Sequence, residues 1–165
     1  MMSLADVNAM SAGAFVAIFG DVAEHSPWVA EEAAKARPYA SRETMIEAFA
    51  SATMKAGQDA QLALIRAHPD LATRAKLTED SSREQRGAGL DTLTAEEFQL
   101  FTALNNAYKS RFDFPFIFAV KGATKHEILA SFEERVGRDK DEEFRTALQQ
   151  VCRIFRFRIE DRVNP

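Results

Sequence analysis

Apolar residues recur along this chain at the three- and four-residue spacing of one helix face. Val7, Met10, Ala14, Ile18 and Val22 share such a face and predict a first helix over residues 6–22. Ser26-Pro27-Trp28 reads as an N-cap with proline at the first helical position, opening a helix that Pro38 ends or interrupts. Ser41-Arg42-Glu43-Thr44 starts another, with Met45, Ile46 and Phe49 inward, and Gly57 breaks it. Asp59 is placed to cap the next, whose apolar residues are Leu62, Leu64 and Ile65. That helix is expected to end at His68, because the residue before a proline is pushed out of the α region.

The second half repeats the pattern. Thr94-Ala95-Glu96-Glu97 spells a capping box, and Phe98, Phe101, Leu104, Tyr108 and Phe112 follow at helical spacing. Thr124-Lys125-His126-Glu127 spells a second box, ahead of Ile128, Leu129, Phe132 and Val136, and Gly137 is a natural stop. A last helix is expected over residues 141–163, burying Phe144, Leu148, Val151, Phe155 and Ile159. No repeat, low-complexity tract or hairpin signal interrupts this. The fold expected is all-α, a single domain over residues 1–165 built from about seven or eight helices.

Composition narrows the function classes. The 165 residues are 46% hydrophobic and 28% charged, the balance of a globular chain able to bury a core. A formal net charge of -4 argues against a general nucleic-acid binder. The single cysteine, Cys152, excludes an internal disulfide and points to a reducing compartment. No apolar run approaches the roughly 20 residues of a membrane span. Residues 1–21 lack the basic start and cleavage site of a signal peptide. A cytoplasmic protein is expected.

Four features could carry chemistry, and each has a plainer reading. His68 can give or take a proton near neutral pH, or it can simply end a helix where the dipole favours it. Ser81-x-x-Glu84 and Ser82-x-x-Gln85 both spell capping boxes, while a helix N-terminus also suits an anionic ligand. On pattern alone Glu84 is better placed as the cap partner than as a substrate ligand. Residues 114–120 form an apolar run between helices, and its buried backbone must be satisfied by another loop or by a ligand. Arg158 falls on the flank of the buried stripe of the last helix, where a guanidinium needs a carboxylate or a ligand anion unless it snorkels to solvent. Nothing supports a metal site: there is no His-x-x-x-His pair, cysteine cluster or Glu-x-x-His pair.

Together these segments resemble one family. His68-Pro69-Asp70-Leu71-Ala72, Leu77-Thr78, Ser81-x-x-Glu84-Gln85 and Ala88-Gly89-Leu90 are similar to the motifs of 2-oxo-4-hydroxy-4-carboxy-5-ureidoimidazoline (OHCU) decarboxylases of uric acid degradation. So are Leu104-Asn105, Tyr108, Arg111-Phe112 and Phe114-Pro115-Phe116. Ser26-Pro27-Trp28-Val29, Arg37-Pro38 and Ile128-Leu129 extend the resemblance over nearly the whole chain. One departure is Asp113, where the family often carries glycine.

The resemblance implies an all-helical, usually homodimeric enzyme that needs no metal or organic cofactor and turns a small ureidoimidazoline carboxylate into (S)-allantoin. It implies His68 as the catalytic histidine; the chemistry then makes His68 the expected stereospecific proton donor, with Glu84 as a second catalytic residue that orients the imidazole or the substrate hydroxyl. Pro69, Ser81, Ser82, Arg83 and Gln85 match its substrate-binding segments, as does the backbone of Phe116, Ile117, Phe118, Ala119 and Val120. Arg158 matches an arginine of the last helix that meets the ligand. Two other readings stand beside this one: a helical binding or regulatory domain, and an enzyme of the same scaffold acting on a related ureido or hydantoin acid.

Overall fold

A computed structural model describes residues 1–73 and 77–165. Among them are nine helices and no sheet: α1 (Leu4–Ala9), α2 (Ala12–Phe19), α3 (Trp28–Ala34), α4 (Arg42–Lys55), α5 (Gln58–Arg66), α6 (Glu79–Gly87), α7 (Ala95–Phe112), α8 (Lys125–Arg135) and α9 (Lys140–Glu160). The all-α expectation holds. No helix among the described residues is long and apolar enough to cross a membrane. The chain forms two compact units, one of Met1–Ala67 with Leu148–Pro165 and the other of His68–Ala147.

In the first unit, α2, α3 and α4 pack in sequence around Phe15, Phe19 and Phe49. Their rings pair at centroid distances of 5.0 Å (Phe15–Phe19) and 6.1 Å (Phe15–Phe49), and Phe155 of α9 meets Phe49 edge-on at 6.1 Å. Each such ring stabilises by roughly 1.5–3 kcal/mol through burial. Arg37 lies over the Phe15 ring and donates to the Val7 and Met10 carbonyls at 3.1 and 2.7 Å, so a long-range side chain satisfies the exposed end of α1. Met2 and Val163 form a short parallel bridge that ties the two ends of the chain together.

The helix expected over residues 6–22 is two helices. Ser11 breaks it: Met10 takes an extended conformation, and the Ser11 hydroxyl accepts from Ala14 N–H at 3.1 Å as the cap of α2. A serine amid apolar spacing competes with the helix for its own backbone. The start of α3 is also shifted by one residue. Pro27 is the N-cap, and the Ser26 hydroxyl instead donates to the Glu24 carbonyl at 2.8 Å. Gly57 rather than Asp59 is the N-cap of α5, leaving Asp59 in its first turn.

The second unit is an aromatic cluster. Tyr108 meets Phe112, Phe114, Phe116 and Phe132 at 4.5–6.0 Å, and Phe116 stacks on Phe132 at 3.9 Å and 7°. The capping box at Thr94 and Glu97 is complete in both directions. Asp113 closes α7 at φ +63°, the left-handed conformation that glycine adopts freely, so the chain keeps with aspartate the geometry glycine provides.

Glu97 also bonds Lys125 of α8 at 2.8 Å. The Lys125 ammonium first, and the Thr94 N–H next, hold its carboxyl down to about 2, against an ordinary value of 4.5. A depressed carboxyl contributes stability that is present above the ordinary value and lost as pH falls toward the folded one. Glu97→Gln is therefore expected to melt lower than the parent near neutral pH, with the gap closing as pH falls from about 5 toward 2. Thermal melts across that range check it; a gap independent of pH contradicts it.

Candidate active site

The site residues implied by the sequence lie mostly in the second unit, on three segments. The first begins where α5 stops. Ala67 is its C-cap, and His68, placed before Pro69, leaves the helix as expected. His68 is 7% exposed and its Nε2 has no contact with solvent. The chain then turns through Asp70, Leu71 and Ala72, with Ala72 at φ +56°. Side chains from two helices hold the turn. Gln85 Oε1 of α6 accepts from Ala72 N–H at 3.0 Å, and Asn105 Nδ2 of α7 donates to the Leu71 carbonyl at 2.9 Å. One turn after Asn105, Lys109 Nζ bonds the Asp70 carboxylate at 2.7 Å.

The second segment is α6, and here the capping expectation fails. Thr78 is the N-cap, its hydroxyl accepting from Ser81 N–H at 3.3 Å. Ser81 through Gln85 thus lie inside the helix, and neither Glu84 nor Gln85 serves as the partner of a serine cap. Threonine one turn upstream took the role because Glu79 and Asp80 then fill the first turn, where the helix dipole favours acids. Ser81 and Gln85, four apart, are buried on one face, while Ser82 and Glu84 are half-buried. Arg83 points outward and pairs with Asp80 at 2.7 Å. The helix ends in a Schellman turn: Leu90 N–H bonds the Gln85 carbonyl at 2.9 Å and Gly89 N–H the Arg86 carbonyl at 3.0 Å, with Gly89 at φ +80°.

The third segment, residues 114–120, has neither helix nor strand and is buried except at half-buried Phe118. Part of its backbone is satisfied internally. Arg135 Nη1 donates to the Ile117 carbonyl at 2.7 Å, and the same guanidinium lies 4.3 Å over the Phe116 ring. Its Nε bonds Glu143 Oε1 at 2.8 Å, and Tyr108 Oη donates to that same oxygen at 2.5 Å. Burial, with Glu143 as acceptor, pushes the Tyr108 hydroxyl well above its ordinary pKa, so it remains a donor. Arg135 and Glu143 are 3% and 0% exposed.

Helix α7 is common to these arrangements: Asn105 and Lys109 hold the His68 turn, and Tyr108 and Phe112 hold the 114–120 segment. Arg158 lies in the first unit, 2% exposed, and the carboxylate it needs is Glu24, at 2.8 Å from its Nη1. Glu24, Arg135 and Glu143 escaped the sequence reading. Two left a signal: Arg135 sits three after Phe132 and seven after Ile128, and Glu143 four before Ala147 and eight before Val151, each a charge on an apolar stripe. Among the described residues, no three His, Cys, Asp or Glu side chains group as a metal site would require.

Comparison with known proteins decides the family. The family model described as OHCU decarboxylase matches residues 8–160. The chain belongs to the OHCU decarboxylase family. A relative from Haloferax volcanii, named 2-oxo-4-hydroxy-4-carboxy-5-ureidoimidazoline decarboxylase, is 42% identical over 99% of this chain and 97% of its own. A Bacillus sp. uric acid degradation bifunctional protein is 40% identical over 98% of this chain, which spans 32% of that protein. A solved (S)-allantoin synthase superposes with a TM-score of 0.81 at 30% identity, over 98% of this chain and 54% of that one. A second, an OHCU decarboxylase crystallised in the presence of (S)-allantoin, shares the fold with a TM-score of 0.72 at 23% identity. Membership makes this chain an enzyme, a carboxy-lyase.

In this decarboxylase the Arg135–Glu143 pair is both buried and hydrogen-bonded. Removing one member leaves the other charged in an apolar setting. Arg135→Ala and Glu143→Ala are each expected to lose about 3–5 kcal/mol in urea unfolding, and the double variant clearly less than their sum. Additive losses would show that the two do not act as one unit.

Proposed function

We propose that this decarboxylase acts on 2-oxo-4-hydroxy-4-carboxy-5-ureidoimidazoline in urate degradation and releases (S)-allantoin, with His68 protonating one face of the ring. The observation that carries this reading is the placement of His68. A buried imidazole stands at a helix end, on a turn held by side chains of two other helices. A general acid that must deliver a proton to one face needs that fixed position.

The substrate supplies its own electron sink. The carboxylate to be lost is on a ring carbon beside a C=N bond. As the bond to the carboxylate breaks, CO2 leaves and its electron pair forms a double bond to the neighbouring ring carbon, while the C=N π pair moves onto nitrogen, which takes a proton. The resulting enol then collapses. Its hydroxyl loses a proton to become a carbonyl, and the neighbouring carbon takes a proton from the His68 imidazolium. The face on which that proton arrives sets the product's handedness.

The remaining roles follow from position. Glu84, half-buried on α6 and released from capping, orients the imidazole or the substrate hydroxyl. Ser81, one turn before it and buried, offers a neutral hydroxyl, while Pro69, Ser82 and Gln85 shape the wall. The backbone of residues 116–120, braced by Arg135, offers N–H groups to ring and ureido oxygens. Arg83 is part of the same proposal as a source of positive charge for the substrate carboxylate, in competition with Asp80.

Urate turned over by excess uricase and hydroxyisourate hydrolase, followed by circular dichroism, tests this reading. The intermediate decays unaided to racemic allantoin, so a single-handed signal reports the enzyme. The parent is expected to raise the (S) signal rapidly, and His68→Ala to lower the rate by about 100- to 10,000-fold. Full rate and full handedness in His68→Ala would remove the histidine from this role, and racemic product with the parent would remove the function.

A further inference from the structure

One peptide group in the turn after His68 is gripped on both edges. The Leu71 carbonyl accepts from Asn105 Nδ2, and Ala72 N–H, the other edge of the same peptide, donates to Gln85 Oε1. The two amides come from different helices, α7 and α6, and all four residues are buried. This peptide immediately precedes Ala72, which stands at φ +56°. Left-handed backbone is disfavoured for a residue with a Cβ. Rotating the Leu71–Ala72 peptide by half a turn would carry Ala72 back to negative φ and relieve that cost. It would also turn the carbonyl toward Gln85 Oε1 and the N–H toward Asn105 Nδ2, setting acceptor against acceptor and donor against donor. The two amides therefore hold the turn in the higher-energy of its two local conformations.

Asn105 holds this position at a disadvantage to itself. With Nδ2 fixed on the Leu71 oxygen, Oδ1 points the other way, buried and without a hydrogen-bond partner among the described residues. A stranded buried acceptor is destabilising. A leucine would fill the space and strand the Leu71 carbonyl in place of Oδ1, one buried acceptor for another. Stability alone does not account for an amide here; control of the peptide does.

We propose that Asn105 is a positioning residue of the reaction. With Gln85 it locks the Leu71–Ala72 peptide in the orientation that keeps Ala72 left-handed, and so fixes the imidazole of His68, three residues before Leu71, in line for proton delivery. The inference rests on His68 being the proton donor. It adds a residue that acts on the imidazole through the backbone of the turn.

The test uses Asn105→Leu, Asn105→Ala and the double variant Asn105→Ala with Ala72→Gly, assayed for kcat and KM on the coupled substrate and for melting temperature. Asn105→Leu and Asn105→Ala are expected to lower kcat about 10- to 100-fold with KM within about twofold, since a misplacement near 1 Å costs that much while binding survives. Asn105→Leu is expected to melt no lower than the parent. Glycine at position 72 bears no cost at positive φ, so the double variant is expected to recover most of the lost kcat. That rescue is a result no merely structural role produces. The inference is overturned if the parent is active, His68→Ala is inactive and both Asn105 variants keep full kcat. It is also overturned if kcat falls only in proportion to unfolded protein, or if the Ala72→Gly change recovers nothing. A parent with no decarboxylase activity overturns the functional reading, and this inference with it.

Discussion

The structure around the candidate site depends on burying one arginine where an irregular, apolar stretch of chain needs a donor. Residues 114–120 can form neither helix nor sheet, yet they are packed under an aromatic cluster. Their carbonyls must be met from elsewhere. Arg135 meets one at Ile117, which places a guanidinium in the core. That charge in turn requires Glu143, and Glu143 requires Tyr108 and the start of α9. One backbone requirement thus fixes the relation of α7, α8 and the start of α9 within the second unit. The network holds a non-repetitive backbone rigid, which is what a binding surface made of peptide groups requires.

Helix α7 extends this constraint to the histidine. It presents Tyr108 and Phe112 to the 114–120 segment, and Asn105 and Lys109 to the turn after His68. A single helix is thus the common support for the turn after His68 and for the backbone of residues 114–120. In the proposed reaction those two must be held in register with a small ring, and a rigid helix does so better than two independently anchored loops.

The sequence made most of the fold legible because its helices carry both an apolar face and a chemical start signal. Thr94 with Glu97, Ser41 and Thr124 all cap where their spelling places them. The reading failed where two signals overlapped. Ser11 lay within an unbroken apolar spacing, so the break between α1 and α2 was invisible to periodicity. Ser81 and Ser82 each had an acidic or amide partner three residues on, yet Thr78 capped the helix, because a cap is chosen by competition among neighbours and not by spelling alone. The candidate site was legible as segments and not as geometry. His68 at a helix exit followed from Pro69, but the grip of Gln85 and Asn105 on its turn joins residues 13 and 34 positions from their partners. Arg158 reads from the sequence as a guanidinium needing a carboxylate or a ligand anion unless it snorkels to solvent, and in the structure it is buried against Glu24. No local pattern could have paired residues 134 positions apart.

The account's central claim is that His68 meets the reacting ring in a site of fixed handedness. The most direct measurement is nuclear magnetic resonance of the three histidine imidazoles in the selectively labelled protein, titrated with (S)-allantoin and, separately, with (R)-allantoin. The account predicts a saturable shift of the His68 resonances with the (S) form, a much weaker response to the (R) form, and no change at His25 or His126. Equal shifts with both forms, or binding that leaves His68 unmoved, would contradict it.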